Sequence, residues 1–136
     1  MGLCGILAHH LGAHRVVLTD GDTDTLALLR DNVAANVSSG KVECRQLRWG
    51  QEFVRASYSQ ETFHLLLASD VIYVEEIIEP LLDTVVARLA QDGVFWLSYA
   101  RRNVSIDKVL ACAERHGLFW REPSEAAEGV YVFQRI

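Results

Sequence analysis

The sequence lacks a basic excess. Thirteen lysines and arginines stand against eighteen aspartates and glutamates, a net charge of −5 with the two signs interspersed. The positive footprint that phosphate neutralisation requires is missing, and nucleic acid is not expected as a partner. Long apolar runs are also absent: none approaches the roughly 18 to 20 residues that cross a bilayer, and no basic segment with a cleavage site follows Met1. A protein of the cytoplasm or nucleus that does not engage membranes is expected. The three cysteines, Cys4, Cys44 and Cys112, are odd in number and widely spaced, with no Cys-x-x-Cys pair. Their apolar surroundings read as reduced core thiols. Nucleophile elbow, Walker loop and zinc-type cysteine pair are all missing, so hydrolase and phosphotransferase chemistry has no carrier. No repeat, low-complexity tract or linker interrupts the chain, which implies a single domain over residues 1–136.

What is present is a core and an alternation. Half of the 136 residues are hydrophobic, enough to bury a sizeable interior. Leu3 to Leu11 is helix-like and closes at Gly12; Arg15 to Thr19 is a short β-branched strand ending at Asp20. In "DGDTDTLALLRDNVAANV", Asp22 caps a helix, Asp24 suits its positive end, and Leu26, Leu29 and Val33 share one face. Strands are expected at Lys41 to Gln46, Phe63 to Ser69 and Val94 to Tyr99. Helices are expected at about Glu76 to Ala90, with Pro80 in its first turn, and at Ser105 to His116. Leu118 to Arg121 and Val130 to Gln134 close the chain as an antiparallel pair. Strands alternating with helices predict an α/β fold with a parallel sheet covered on both faces.

The residues able to carry chemistry stand at strand ends. Asp20 follows β-branched residues at a carboxyl end, where a carboxylate can accept both hydroxyls of a ribose or simply close a turn. Asp70 occupies the same topological position in "FHLLLASDVIYVEE"; burying it unpaired would cost several kcal/mol, so it must meet solvent, a partner or a ligand, or cap a helix. Tyr73 is either core with its hydroxyl at the edge or part of the same site. Trp49, in "QLRWGQ", can lie on a purine or fill core. His9, His10 and His14 do not make a metal set: the first two point to different helix faces, and no cysteine or carboxylate completes them. No metal is assigned.

Taken together, "GLCGILAHHLGAHRVVLTDGD", "LLRDNVAANV", "LRWG" and "LLLASDVIY" resemble methyltransferase family 16, protein-lysine methyltransferases within the Rossmann-like seven-β-strand enzymes that use S-adenosyl-L-methionine. The resemblance runs from Gly2 to about Leu97, and Asp70-Val71-Ile72-Tyr73 matches the family's Asp-x-x-Tyr motif. It implies that Gly2, Asp20, Gly21, Trp49, Ala68 and Ser69 bind the cofactor, Asp20 on the ribose with Gly21 permitting close approach, and Trp49 against the adenine. Asp70 and Tyr73 would face the incoming amine as the catalytic pair. The implied substrate is a lysine of a cytosolic protein, such as a chaperone or translation factor, and the implied state is a monomer. Of the family's Glu-x-Gly-x-Gly-x-Gly turn only Gly2 is present, so the first strand and most of the glycine cradle are expected to be missing, with weak or no cofactor binding by this chain alone. A nicotinamide-binding protein gives no reason for Asp70-x-x-Tyr73, and a methyltransferase of nucleic-acid bases would show a proline pair where Val71-Ile72 stands. The remaining alternative is a catalytically degenerate methyltransferase-like scaffold.

Overall fold

A computed structural model describes residues 1–38, 41–51, 60–100, 103–122 and 128–136. The chain divides into two compact units, residues 1–48 and 49–136. In the first, helix α1 (Leu3–His10) precedes strand β1 (Val16–Asp20), helix α2 (Thr23–Asn36) and strand β2 (Val42–Gln46). β1 and β2 pair in parallel from Val16 opposite Val42 to Asp20 opposite Gln46. α1 approaches β1 through Gly5, where an added Cβ would fall 2.2 Å from Leu18 Cδ2, so only glycine lets the helix this close. Cys4, beside it, is exposed, against the expectation of a core thiol; Cys44 is half-buried and Cys112 buried, and all three are free. α2 starts as the sequence predicts. Asp22 accepts the Thr25 backbone N–H at 2.8 Å, and Leu26 and Leu29 form the buried stripe.

The second unit holds strand β3 (Phe63–Ser69), a 3-10 turn (Glu75–Ile77) running into helix α3 (Ile78–Arg88), strand β4 (Leu89–Ser98), helix α4 (Ile106–Arg115), and strands β5 (Leu118–Arg121) and β6 (Val130–Arg135). The sheet order is β3-β4-β6-β5. β3 and β4 are parallel, joined by the crossover through α3, and the final pair is the predicted antiparallel hairpin, with β6 inserted beside β4. The core is apolar side chains from every layer: Leu81, Leu82 and Val85 of α3, Phe95 and Leu97 of β4, Val109 and Ala113 of α4, and Leu118 and Phe133 of the hairpin. Pro80 lies within the first turn of α3, where its missing N–H costs nothing.

One boundary differs from expectation. The helix predicted to Ala90 stops at Arg88, and Leu89 and Ala90 open β4. Phe63 pairs with Leu89, then the register shifts so that Leu65 pairs with Val94. Gly93 sits in the shift because an added Cβ would stand 2.9 Å from the Phe63 carbonyl oxygen. Arg135 Nη2 donates to the carbonyls of Val86 and Leu89 at 2.5 and 2.9 Å, covering the orphan acceptors at the end of α3.

Between α3 and α4 lies a polar network. The buried Cys112 thiol donates to Glu79 Oε2 at 3.1 Å; burial first, then the Glu79 carboxylate, pushes this thiol up to about 12. Lys108 Nζ meets Glu75 at 2.5 Å, holding the 3-10 turn to α4. The turn at Trp49-Gly50 is fastened by a buried bond, in which Gly50 N–H donates to Thr84 Oγ1 at 3.0 Å while that hydroxyl donates to the Pro80 carbonyl.

Two outcomes are expected. Thr84→Val, which strands the buried Gly50 amide, lowers unfolding free energy by about 1–3 kcal/mol in denaturant titration, whereas Thr84→Ser keeps most of it. The Thr25 N–H bond holds the Asp22 carboxyl below the usual carboxylate range. A depressed folded value means the cap contributes above the unfolded value and is lost as pH falls through the folded one. The protection of the Thr25 amide, the intrinsic exchange rate at the same pH divided by the observed one, therefore falls under acid in the native chain and is already low, with no such step, in Asp22→Ala.

Candidate active site

β3 is a seven-residue strand whose last pairs are Ala68 with Leu97 and Ser69 with Ser98. One residue further, Asp70 N–H donates to the Ser98 carbonyl at 3.0 Å, and Asp70 itself has φ 55, the only positive φ on a residue other than glycine among those described. An L-residue pays roughly 1–2 kcal/mol for that left-handed backbone, and aspartate is among the few that tolerate it. The turn separates four neighbours into different environments. Val71 packs against the core and Ile72 fills it at 1% exposure, while Tyr73 stands out at 60%. Asp70 is half-buried between them.

This geometry removes two of the plain structural roles. Tyr73 is not core. Asp70 is not a helix cap, because the next helical turn begins at Glu75 after Val74 in extended backbone, and α3 itself at Ile78. A carboxylate in a strained turn at the carboxyl end of a parallel strand, next to an exposed phenol, is instead the arrangement found where strain is kept for a function. Ala68, Ser69, Asp70 and Tyr73 are brought together as one strand end and its loop. Trp49, partly buried, packs against the same unit's hydrophobic core, so packing is at least part of its work.

The other residues singled out by sequence lie in the first unit. Asp20 ends β1; its Oδ1 accepts the Asp22 N–H at 2.9 Å, and its carbonyl accepts the Leu47 N–H at 2.9 Å. The turn role is therefore filled by one carboxylate oxygen, which fixes the group's orientation without consuming its second oxygen. Gly21 has no internal need to be glycine: an added Cβ would sit in ordinary contact, 3.5 Å from the Leu47 carbonyl oxygen and 3.9 Å from Arg48 Cγ. The space beside it leaves its backbone open to close approach by a molecule from outside the chain. Gly2 is different. Its φ of 83 and the 2.5 Å separation between an added Cβ and Leu29 Cδ1 make it necessary to the start of α1 whatever else it does. The residues present thus fit a ribose at the Asp20-Gly21 turn.

Sequence reasoning missed the left-handed turn and the Thr84 anchor beneath Trp49. Thr84 left one signal, a hydroxyl residue on the otherwise apolar stripe of α3. Among the described residues no helix is long and apolar enough to cross a membrane.

The sequence pattern of methyltransferase family 16, described as lysine methyltransferase, matches residues 1–116. The chain is 34% identical to secreted RxLR effector protein 48 of Plasmopara viticola over 94% of its own length and 74% of that protein's. It is 31% identical to the mouse protein N-lysine methyltransferase METTL21A, covering 98% of this chain and 61% of the mouse protein. A methyltransferase from Pyrococcus furiosus superposes with a TM-score of 0.76 at 16% identity, over 100% of this chain and 71% of that one. The fold is that of the Rossmann-like methyltransferases, and the matched pattern includes both the Asp20-Gly21 turn and the Asp70-x-x-Tyr73 loop: the chain belongs to the lysine methyltransferase family 16.

Proposed function

We propose that this protein is an S-adenosylmethionine-dependent methyltransferase acting on a lysine side-chain amine of another protein. The observation that carries the reading is the left-handed Asp70 at the end of β3, with Ile72 anchored in the core and Tyr73 exposed beside it. Family membership and the mouse relative's name support it; the chain spans 61% of that relative's length. The substrate we infer is a cytosolic protein such as a chaperone or translation factor, met in the cytoplasm or nucleus by a monomer in which residues 1–136 work as one domain. Nucleic acid is not inferred as substrate, given the net charge of −5.

S-adenosylmethionine, when bound, supplies a methyl group already activated on a sulfonium sulfur. The chain's own task is alignment. Asp20 accepts ribose hydroxyls, and Gly21 admits the sugar to the backbone. Trp49 offers its indole to the adenine, while Ala68 and Ser69 line the methionine side. Asp70 accepts an N–H of the incoming amine and so directs its lone pair, and Tyr73 holds the amine by its hydroxyl or ring face. These side chains would hold the amine with its lone pair toward the donor, and the proton that a methylated amine gives up would leave for water.

Labelled methyl transfer into a cell lysate, followed by hydrolysis to identify methyl-lysine, tests the proposal. Asparagine is the right probe at position 70 because it tolerates positive φ as aspartate does, whereas alanine adds backbone strain to the loss of charge. Asp70→Asn is expected to keep the fold by circular dichroism and to lose about 10²–10⁴-fold in rate. Equal labelling by the variant removes Asp70 from the chemistry, and a folded wild-type chain that binds S-adenosylmethionine in calorimetry yet labels nothing favours a scaffold domain. Gly21→Ala is expected to leave the unfolding midpoint unchanged and to weaken cofactor binding in calorimetry by about tenfold, or about 1.4 kcal/mol. Unaltered affinity would remove the close approach at Gly21.

A further inference from the structure

The α3–α4 contact brings four metal-ligating side chains together from two helices. Glu79 and Asp83 are one turn apart on α3, and Cys112 and His116 one turn apart on α4, so each pair shares a helix face. The ligand atoms of Glu79, Cys112 and His116 lie within 4.8 Å of one another. Cys112 Sγ is 3.1 Å from Glu79 Oε2; His116 Nε2 is 3.2 Å from Asp83 Oδ1 and 3.6 Å from Glu79 Oε1. Zinc takes sulfur at about 2.3 Å and nitrogen or oxygen at about 2.0–2.2 Å, which sets tetrahedral ligands about 3.3–3.6 Å apart. The Cys112–Glu79, His116–Asp83 and His116–Glu79 separations of 3.1, 3.2 and 3.6 Å lie near that range, and Cys112 Sγ stands 3.8 Å from His116 Nδ1, so closing the site calls for a small turn of the imidazole.

The orientation of the imidazole points the same way. His116 Nδ1 lies 2.9 Å from the Cys112 carbonyl oxygen, to which it donates, leaving Nε2 directed between two carboxylates. Nε2 lies 3.2 Å from Asp83 Oδ1 and 3.6 Å from Glu79 Oε1, so its lone-pair direction points into the carboxylate cluster. The ring N–H held by a backbone carbonyl is the usual outer support of a metal-bound histidine. The site is largely enclosed: the His116 and Asp83 side chains are 13% and 16% exposed and Cys112 is buried, with Glu79 as the more open member. Gln51 Nε2 donates to Asp83 Oδ1 at 3.1 Å and Arg115 Nη2 meets Glu79 Oε2 at 3.2 Å, and a bound cation would take the place of these donors.

We propose that Glu79, Cys112 and His116, with Asp83 as the fourth ligand, form a structural site for a zinc-class divalent ion that clamps α3 to α4. Coordination replaces the Cys112 S–H proton, which passes to water. The competing arrangement is the hydrogen-bonded side-chain network alone, with no metal.

Cobalt(II) titration of the reduced chain separates the two. One equivalent is expected to produce a thiolate-to-metal charge-transfer band and the intense visible bands of a tetrahedral ion, and zinc is expected to displace it. Cys112→Ser should abolish the charge-transfer band. His116→Gln and Glu79→Gln, at partly exposed positions and checked for folding without metal, should each weaken cobalt affinity about tenfold or more. Zinc should raise the unfolding midpoint of wild type and not of His116→Gln. Cys4→Ser and the paired His9→Asn, His10→Asn change should alter none of this. Absence of the charge-transfer band in wild type, or binding that survives His116→Gln and Glu79→Gln and disappears with Cys4 or the histidine pair, overturns the site.

Discussion

The hydrogen bond from Asp70 N–H to the Ser98 carbonyl, at 3.0 Å, is the point on which the Asp70–Tyr73 turn depends. It is the last rung of the β3–β4 ladder, made after Ser69 and Ser98 have paired. A strand that simply continued would carry Asp70 onward in extended backbone. The rung fixes the amide while the next dihedrals turn left-handed, so the carboxylate is aimed by the sheet and not by a mobile loop. The ladder is in turn only as firm as the side chains under it, and Phe95 and Leu97 of β4 are fully buried among α3, α4 and the hairpin. Burial of this kind, at about 25 cal/mol per Å² of apolar surface, is what holds a turn that would otherwise relax.

The insertion of β6 beside β4 belongs to the same logic. β4 is flanked by a parallel neighbour on one side and an antiparallel one on the other, from Phe95 opposite Phe133 to Ser98 opposite Val130. Both edges of the strand that carries the Ser98 carbonyl are therefore satisfied. The stacked rings of Phe95 and Phe133, with centroids 5.4 Å apart, stiffen that pairing from within the core.

Much of this was legible in the residues. The apolar run before Asp70, the helical spacing of Leu26 and Leu29, the Asp22 cap and the closing hairpin all follow from local rules, because in each the deciding contacts lie within a few residues. Where the deciding contact is distant, the sequence misleads or stays silent. Leu89 and Ala90 read as helix from their neighbours, but pairing with β3 and the shift at Gly93 draw them into a strand. The left-handed backbone at Asp70 depends on a carbonyl 28 positions away, and the approach of Cys112 and His116 to Glu79 and Asp83 depends on how α3 and α4 meet. Cys4 showed the converse: an apolar pattern suggested burial, yet the buried face of α1 is occupied by the smaller Gly5.

The loop from Asp70 to Val74 is short and held at three places. The ladder fixes its beginning, Ile72 sits in the core at 1% exposure, and the 3-10 turn that ends it is tied to α4 through Glu75 and Lys108. Between these fixed points only Asp70 and Tyr73 carry polar groups, which explains the spacing: an odd residue pointing out, a branched residue pointing in, and a phenol pointing out again. Under the proposed function, a turn that presents an amine to a bound donor gains rate chiefly from not having to search for its geometry, since misplacement by about 1 Å can cost about 10²-fold. Rigidity at α3 and α4 is then a property of the Asp70–Val74 loop as much as of the core, because the helix pair holds the far end of the segment whose near end is the Ser98 rung.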